Sequence, residues 1–416
     1  MSGVDLALRP HRILAARPER ARLFVYGLFL LSGVGQSVIV PILGRLSSVY
    51  GLSASGTALV LALPGLATLV VSIPAGVAAD RWGARRVTLA AGMLMSVACA
   101  AQAVPSLAIL MAGRLAFGVA YAAVWTSAMA WLAQLSPGPD RLGPAVTCAS
   151  VGSMAGPAIG GMLAQSGALG LPFLLIGSLT ALVMAPLTLD RGGRRPPASR
   201  PAAAPDGSAS PPPARARRDE IAILLRSPRL AAATGALVVA GAVSGVSQLL
   251  VSLQMRADGV STGDIGLAFS LAAVAYILVS AVIARMGERA STLRLNAGAT
   301  ALLSVALLPA LAGGHPYALG GALLLAAMPR AAVNTIAYTL VAEPGAGDAR
   351  RAMAFGILNG AWAGALVLAP LLAGSLEQRA GAGAGYLAAI VPSGAIAVWL
   401  VLRARREPSP ALQACR

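Results

Sequence analysis

Twelve stretches of roughly 18 to 28 mostly apolar residues follow one another along this chain of 416 residues, and at about 1.5 Å per residue each is long enough to cross about 30 Å of hydrocarbon as a helix. They lie near 23–46, 57–79, 87–104, 106–134, 143–165, 171–189, 230–254, 264–286, 295–313, 317–342, 352–374 and 384–403. Composition agrees: 57% of the residues are hydrophobic and 11% charged, whereas soluble domains run at roughly 45 to 50% and about 25%. Mean hydropathy is +0.76, so a lipid-embedded, all-helical protein is predicted. The first run exceeds the roughly 7 to 15 residues of a secretory signal core, and no small-residue cleavage site follows it cleanly, so it is read as a permanent span.

Arginine placement tests the count. All 32 basic residues are arginine, which together with the abundance of Ala, Gly and Pro fits the codon usage of a GC-rich bacterial genome. Short cytoplasmic loops collect positive charge. With the N-terminus inside, 27 arginines fall on the inner side, only Arg45, Arg256 and Arg379 fall outside, and Arg114 and Arg330 lie within spans. A miscounted span would swap the sides beyond it and blur that contrast. Both termini are therefore predicted to be cytoplasmic, in a multi-pass protein of a bacterial cell membrane.

The net charge of +17 invites a nucleic-acid reading, but aromatics make up only 4% and no basic segment is interleaved with them, so no nucleic-acid partner is expected. Of three cysteines, Cys99 and Cys148 lie in apolar runs and Cys415 is next to last. They build neither a disulfide framework nor a metal site, and no cofactor is expected. No nucleophile and base constellation, phosphate loop or metal cluster is present, and His11 and His315 lie outside the spans, so an enzyme is not predicted.

The segment from 190 to 229, rich in Pro, Ala, Ser and Arg, cannot bury a core and reads as a disordered cytoplasmic linker. It divides the chain into an N-terminal tail (1–22), a six-span bundle (23–189), the linker (190–229), a second six-span bundle (230–403) and a C-terminal tail (404–416). The halves echo each other. ADRWGAR at 79–85 lies over IARMGER at 283–289, AAVWT at 122–126 over AAVNT at 331–335, and AGPAIGG at 155–161 over LAPLLAG at 368–374, with offsets of 204, 209 and 213. Steadily growing offsets are what loop insertions produce, and two six-helix repeats about an axis along the membrane normal are one transporter architecture.

Between the second and third spans the chain reads GVAADRWGARR. Gly76, Asp80, Arg81, Gly83, Arg85 and Arg86 there resemble a signature of the major facilitator superfamily. RLAFGVAYAA in the fourth span is similar to the family's second signature through Arg114 and Gly118. GSMAGPAIGG in the fifth span matches a signature of its antiporter branches at Gly152, Gly156, Pro157, Gly160 and Gly161. Three signatures in order, over essentially the whole chain, identify it as resembling that superfamily, and WTSAMAWLAQ at 125–134, after the second signature, resembles its twelve-helix drug:proton antiporters, including the vesicular amine transporter-like group. The resemblance implies two pseudo-symmetric six-helix bundles, alternating access, and efflux of a small organic molecule in exchange for protons by a monomer.

Physics reads each signature separately. Asp80 is expected at the membrane surface beside helix ends, where a carboxylate accepts from free N–H groups and favours a helix N-terminus. The resemblance implies that it contacts the start of the eleventh helix and steadies the outward-facing state. The arginines beside it also serve topology, and Ala284 replaces the acid in the second half. Glycines 152, 156 and 160 share one face and allow close helix approach, while Pro157 favours a kink. The resemblance makes this a hinge. A guanidinium within a span costs at least a few kcal/mol, so Arg114 is expected to meet a cavity, a partner or backbone carbonyls; its family counterpart acts in proton coupling.

The fold that the resemblance implies surrounds a central cavity with helices 1, 4, 7 and 10. Candidate substrate contacts are then Gln36, the Tyr121 and Trp125 face of helix 4, Ser244, Ser247 and Gln248, the Arg330, Asn334 and Tyr338 face of helix 10, and Asn359 with Trp362. For each of these, helix packing is the competing role. All fifteen acids fall in tails, loops or span ends, whereas cation exporters of the resembling family usually hold a carboxylate within the membrane. Asp264 and Glu343, at span ends, are the nearest candidate proton carriers. The absence tilts the substrate toward neutral or anionic molecules and opens a second expectation, uptake or exchange of an anionic or neutral metabolite.

Overall fold

The computed structural model describes residues 9–135, 143–189, 227–286, 292–312, 315–341 and 348–406. All but the last three residues of the predicted linker, and Glu343, lie outside them. The helices are α1 (Arg9–Ser37), α2 (Ala54–Trp82), α3 (Ala84–Gln102), α4 (Leu107–Leu135), α5 (Gly143–Gln165), α6 (Leu171–Leu189), α7 (Pro228–Val246), α8 (Thr262–Met286), α9 (Leu293–Val305), α10 (Pro316–Val341), α11 (Asp348–Ala380) and α12 (Ala382–Arg406), with short helical turns following α1, α7 and α9. No strand occurs among the described residues. Helix starts follow local chemistry: Ser53, Ser227 and Thr292 each accept from a backbone N–H of the first turn.

Eleven helical segments among the described residues are long and apolar enough to cross a membrane, and α6, apolar from Leu171 to Pro186, is a shorter twelfth. Large apolar side chains are exposed at helical spacing, as at Val70, Ile73 and Val77 on α2 and Leu271, Leu278 and Val282 on α8. In water such stripes would be a liability; in a bilayer they are the lipid face.

Three boundaries differ from the sequence expectation. Helix α1 begins at Arg9, inside the predicted tail: Pro10 sits in its first turn, where the missing N–H costs nothing, and the helix runs on through Pro18, which removes one bond from its ladder. The predicted span 23–46 is interrupted after Ser37 and resumes through a short turn at Val40–Ile42 and a helix at Leu43–Tyr50. Predicted span 230–254 contains a π turn at Ser247–Val251. The two breaks are 209 positions apart, the offset of the AAVWT and AAVNT repeat.

Two apolar cores form. One gathers residues between Val25 and Met184; the other gathers residues between Leu230 and Ala404, with Ala58 reaching in from α2. Contacts between helices give a closed ring: α5 against α1, α1 against α4, α4 against α2, α2 across to α11, α11 against α7, α7 against α10, α10 against α8, and α8 across to α5. Helices 1, 4, 7 and 10 thus stand between two seams that join the halves.

The seams are related by the repeat. Gly161 of α5 packs on the backbone of Thr262 at the start of α8, and Gly374 of α11 packs on the backbone of Ala54 at the start of α2. These glycines are the last residues of AGPAIGG and LAPLLAG. Hydrogen bonds fasten the same end: Ser55 Oγ to Gln378 Oε1 at 2.6 Å, Gln165 Nε2 to Ser261 Oγ at 2.9 Å, and Ser252 Oγ to the Val40 carbonyl at 2.6 Å. The last of these ties the two broken helices together. At the opposite end, a methyl group added at Gly76 of α2, or at Gly356, Gly360 or Gly364 of α11, would meet nothing within 4 Å. The contacts between the halves thus gather at one end of the ring, and the other end is open at these glycines.

Candidate functional site

The GVAADRWGARR stretch is not a loop. Helix α2 runs through Asp80 to Trp82, Gly83 alone makes the turn at φ 92°, and α3 starts at Ala84. Only glycine takes that φ without a steric cost, which is why the reversal needs no further residue. Asp80 is exposed in the last turn of α2, and α3 has no side-chain cap. Asp80 sits at the C-terminal end of α2, where a negative charge is disfavoured and the neighbouring Arg81 is favoured. It stands at the open end, where a partner from the other half would have to approach to close the ring.

The helix 5 motif lies where α5 meets both halves. Gly152, Gly156 and Gly160 face the backbone of α1 at Leu30, Val34 and Val38, so closely that any side chain would collide with it. Pro157 interrupts the ladder of α5. The Ser270 hydroxyl, arriving from α8, accepts from Ala158 N at 3.0 Å and donates to the Met154 carbonyl at 2.8 Å. Those two groups are an i, i+4 donor and acceptor pair of an α-helix, so a side chain of one half is interposed in a helix of the other, beside its proline. Sequence reasoning did not single out Ser270, although a serine within an apolar run is a polar outlier.

Arg114 is fully buried. Its Nε donates to the Val60 carbonyl of α2 at 3.3 Å, its guanidinium lies 6.0 Å from the Phe117 ring, and both amino groups are sealed without a partner. Of the three surroundings expected, the backbone carbonyl is the one observed. Gly118 packs on Pro64 and Ala67 of α2, so its place in the structure is a helix contact.

The candidate contacts on helices 1, 4, 7, 10 and 11 form two walls. On the first, Trp125 meets Phe29 of α1 edge-on with centroids 5.0 Å apart, and Tyr121 lies 5.9 Å from Trp125. Gln36 Oε1 is buried without a partner. On the second, Arg330 Nη1 donates to Ser244 Oγ of α7 at 3.0 Å, and its guanidinium lies 5.0 Å from the ring of Tyr276 of α8. Asn334 Nδ2 donates to the Tyr276 hydroxyl at 2.9 Å, and the Tyr338 hydroxyl donates to Asn359 Oδ1 of α11. Arg330 Nε, Asn334 Oδ1 and Trp362 Nε1 are sealed and unpartnered. Because α10 stands between α7 and α8 in the ring, a guanidinium reaching both is held from two sides.

Tyr276 was missed in the sequence. It is the hub that carries Arg330 on its face and Asn334 on its hydroxyl, and the available signal was a polar-tipped aromatic in an otherwise apolar span. Ser247 Oγ donates to its own helix at Val243, and Gln248 falls in the π turn, a feature that recurs at functional sites. Asp264, a candidate proton carrier, lies in the first turn of α8, and Ser261 before that helix is its cap: Ser261 Oγ accepts from the Asp264 backbone N–H at 3.1 Å and donates to the Asp264 carboxylate at 2.7 Å.

A family model described as Major Facilitator Superfamily matches residues 25–343. The MFS-type transporter ppzB of Metarhizium rileyi (strain RCEF 4871) is 33% identical over 124 residues, 29% of this chain and 26% of that protein. Its counterpart from Metarhizium majus (strain ARSEF 297) is 32% identical over 121 residues, 28% and 26% of the two chains. The match thus spans about a quarter of the length of these curated relatives. Among solved structures, a bacterial homolog of the human lysosomal transporter Spinster, in an inward-facing and occupied conformation, superposes with a TM-score of 0.73 at 16% identity, covering 94% of this chain and 98% of that one. The nucleoside transporter NupG superposes with a TM-score of 0.67 at 14% identity, covering 94% and 99%. At such identities the likeness is one of fold.

Proposed function

Because the chain belongs to the Major Facilitator Superfamily, we propose that it exports a small organic molecule by alternating access in exchange for protons. It is a transmembrane transporter and not an enzyme; efflux, proton coupling and the identity of the cargo are the proposal. The observation that carries it is the ring of helices, joined by two repeat-related seams at one end and open at the other, with the glycine and proline motif of α5 lying in one seam. A helix that packs on α1 through glycines and on α8 through Ser270 is placed to couple the two bundles.

The distribution of arginine supports placing the open end, where α2 meets α3, in the cytoplasm. We assign the chain to a bacterial cell membrane as a monomer, with both termini and the 190–229 linker inside and the bundles spanning 23–189 and 230–403. In this reading the GVAADRWGARR arginines hold topology and Asp80 is the latch of the opposite state, when the open end closes. The test is flux in proteoliposomes under an imposed pH gradient. Cargo movement driven by the gradient is expected; movement indifferent to it removes antiport.

A second reading, uptake or exchange of an anionic metabolite, is favoured by Arg330, which forms no ion pair with an acid among the described residues. Accumulation of an anion in energised cells through an Arg330-dependent route would select this reading.

A further inference from the structure

The repeat that relates the halves sets Arg330 of α10 over Tyr121 of α4, and Asn334 over Trp125, at the common offset of 209. Equivalent residues of two pseudo-symmetric bundles lie at the same depth. The ring of helix contacts sets α4 and α10 across from each other, each between the two seams. At one level, one wall is therefore aromatic and the other cationic.

The cationic wall is prepared for an anion. Arg330 is tied to Ser244 at 3.0 Å and backed by the Tyr276 ring at 5.0 Å, while its Nε is sealed without an acceptor. A guanidinium within a span, unpaired with any acid among the described residues, is an uncompensated charge. Its planar fork matches a carboxylate. The aromatic wall supplies the Tyr121 and Trp125 rings. We infer that the cavity takes an amphiphilic organic anion, its flat apolar body against Tyr121 and Trp125 and its carboxylate on Arg330. This rests on the reading of the cavity as the cargo site, and it excludes organic cations, which Arg330 would repel.

The test is equilibrium binding to the purified full chain in nanodiscs, with 2-naphthoate, 2-naphthamide, 2-naphthylmethylamine and acetate as probes. Naphthoate is expected to bind about tenfold or more tighter than the amide, the size of one charge-assisted bond. Acetate should bind far more weakly than naphthoate, for want of a body. Arg330→Gln should bring naphthoate down to the level of the amide. Trp125→Leu with Tyr121→Leu should weaken both alike and keep their ratio. Ser244→Ala, a milder change that loosens the guanidinium, should cut the ratio at least threefold, and it carries the test should Arg330→Gln fail to fold by circular dichroism and gel filtration. Preference for the amine, a ratio that survives Arg330→Gln, acetate binding equal to naphthoate, or no binding of any naphthyl probe overturns the inference. Flux of other cargo in liposomes would still stand in each of those cases, so failure here is distinguishable from failure of the transporter reading.

Discussion

Arg114 and Asp80 show how differently two charged residues of recognised motifs are held. The Arg114 guanidinium is sealed with one carbonyl and no acid, so both amino groups lack acceptors. Such a group is a burden on the folded state, because it is taken out of water with two donor groups unpaired. Arg114→Met is therefore expected to leave the melting temperature unchanged or raised while lowering gradient-driven flux. A lowered melting temperature with normal flux would assign Arg114 to packing alone. Asp80 is exposed and bears no load in this state, so Asp80→Asn should leave insertion and stability intact and impair transport; full activity in that variant would defeat the latch reading. Its motif was legible in the sequence, but its placement was not. Nothing in the spacing reveals that a single glycine with positive φ makes the reversal, which leaves the acid on the final turn of one helix instead of before the first turn of the next.

At the scale of elements, α5 is the helix whose sequence and structure agree most closely. Glycines four residues apart had to meet another backbone, and they meet that of α1. The partner on the other side of α5 was hidden, because a lone serine in α8 carries no signal until the halves are packed. Ser270→Ala removes two hydrogen bonds across the seam, worth about 1 kcal/mol each. It should shift the population away from the closed seam and raise labelling of a reporter thiol placed in that seam; unchanged labelling would mean that Ser270 does not hold it. Gly156→Val should be more severe, since a side chain there runs into Ser37 and Val34. A loss of about 2 kcal/mol or more is expected from overpacking, visible as a lowered melting temperature. The break in α1 has a signal in the sequence, Pro41, whose ring cannot follow the carbonyl four residues back at Ser37, where α1 ends. The π turn in α7 has none, because the same apolar residues fill a straight span and a broken one, and the two breaks are joined by the bond from Ser252 to Val40.

For the whole molecule, the joined end predicts a reversible lock. Ser55 and Gln378 face each other across the seam at 2.6 Å. With the native cysteines replaced, a Ser55→Cys, Gln378→Cys pair is expected to crosslink, stop transport and recover it on reduction. Continued transport in the crosslinked protein would argue against alternating access.

Hydrophobic run lengths, the asymmetry of arginine and the internal repeat are properties of the chain itself. They determined a helical membrane protein of two related halves, because bilayer thickness and backbone pairing leave a chain of this pattern no other form; the superfamily was legible only through the resemblance of three short motifs. Which end is joined, which carbonyl Arg114 finds, and that Tyr276 seats Arg330 were decided only by the tertiary structure. Those facts depend on how two bundles with no fixed mutual register in sequence are set against each other, and helix packing within lipid is specified by close contacts that span hundreds of residues.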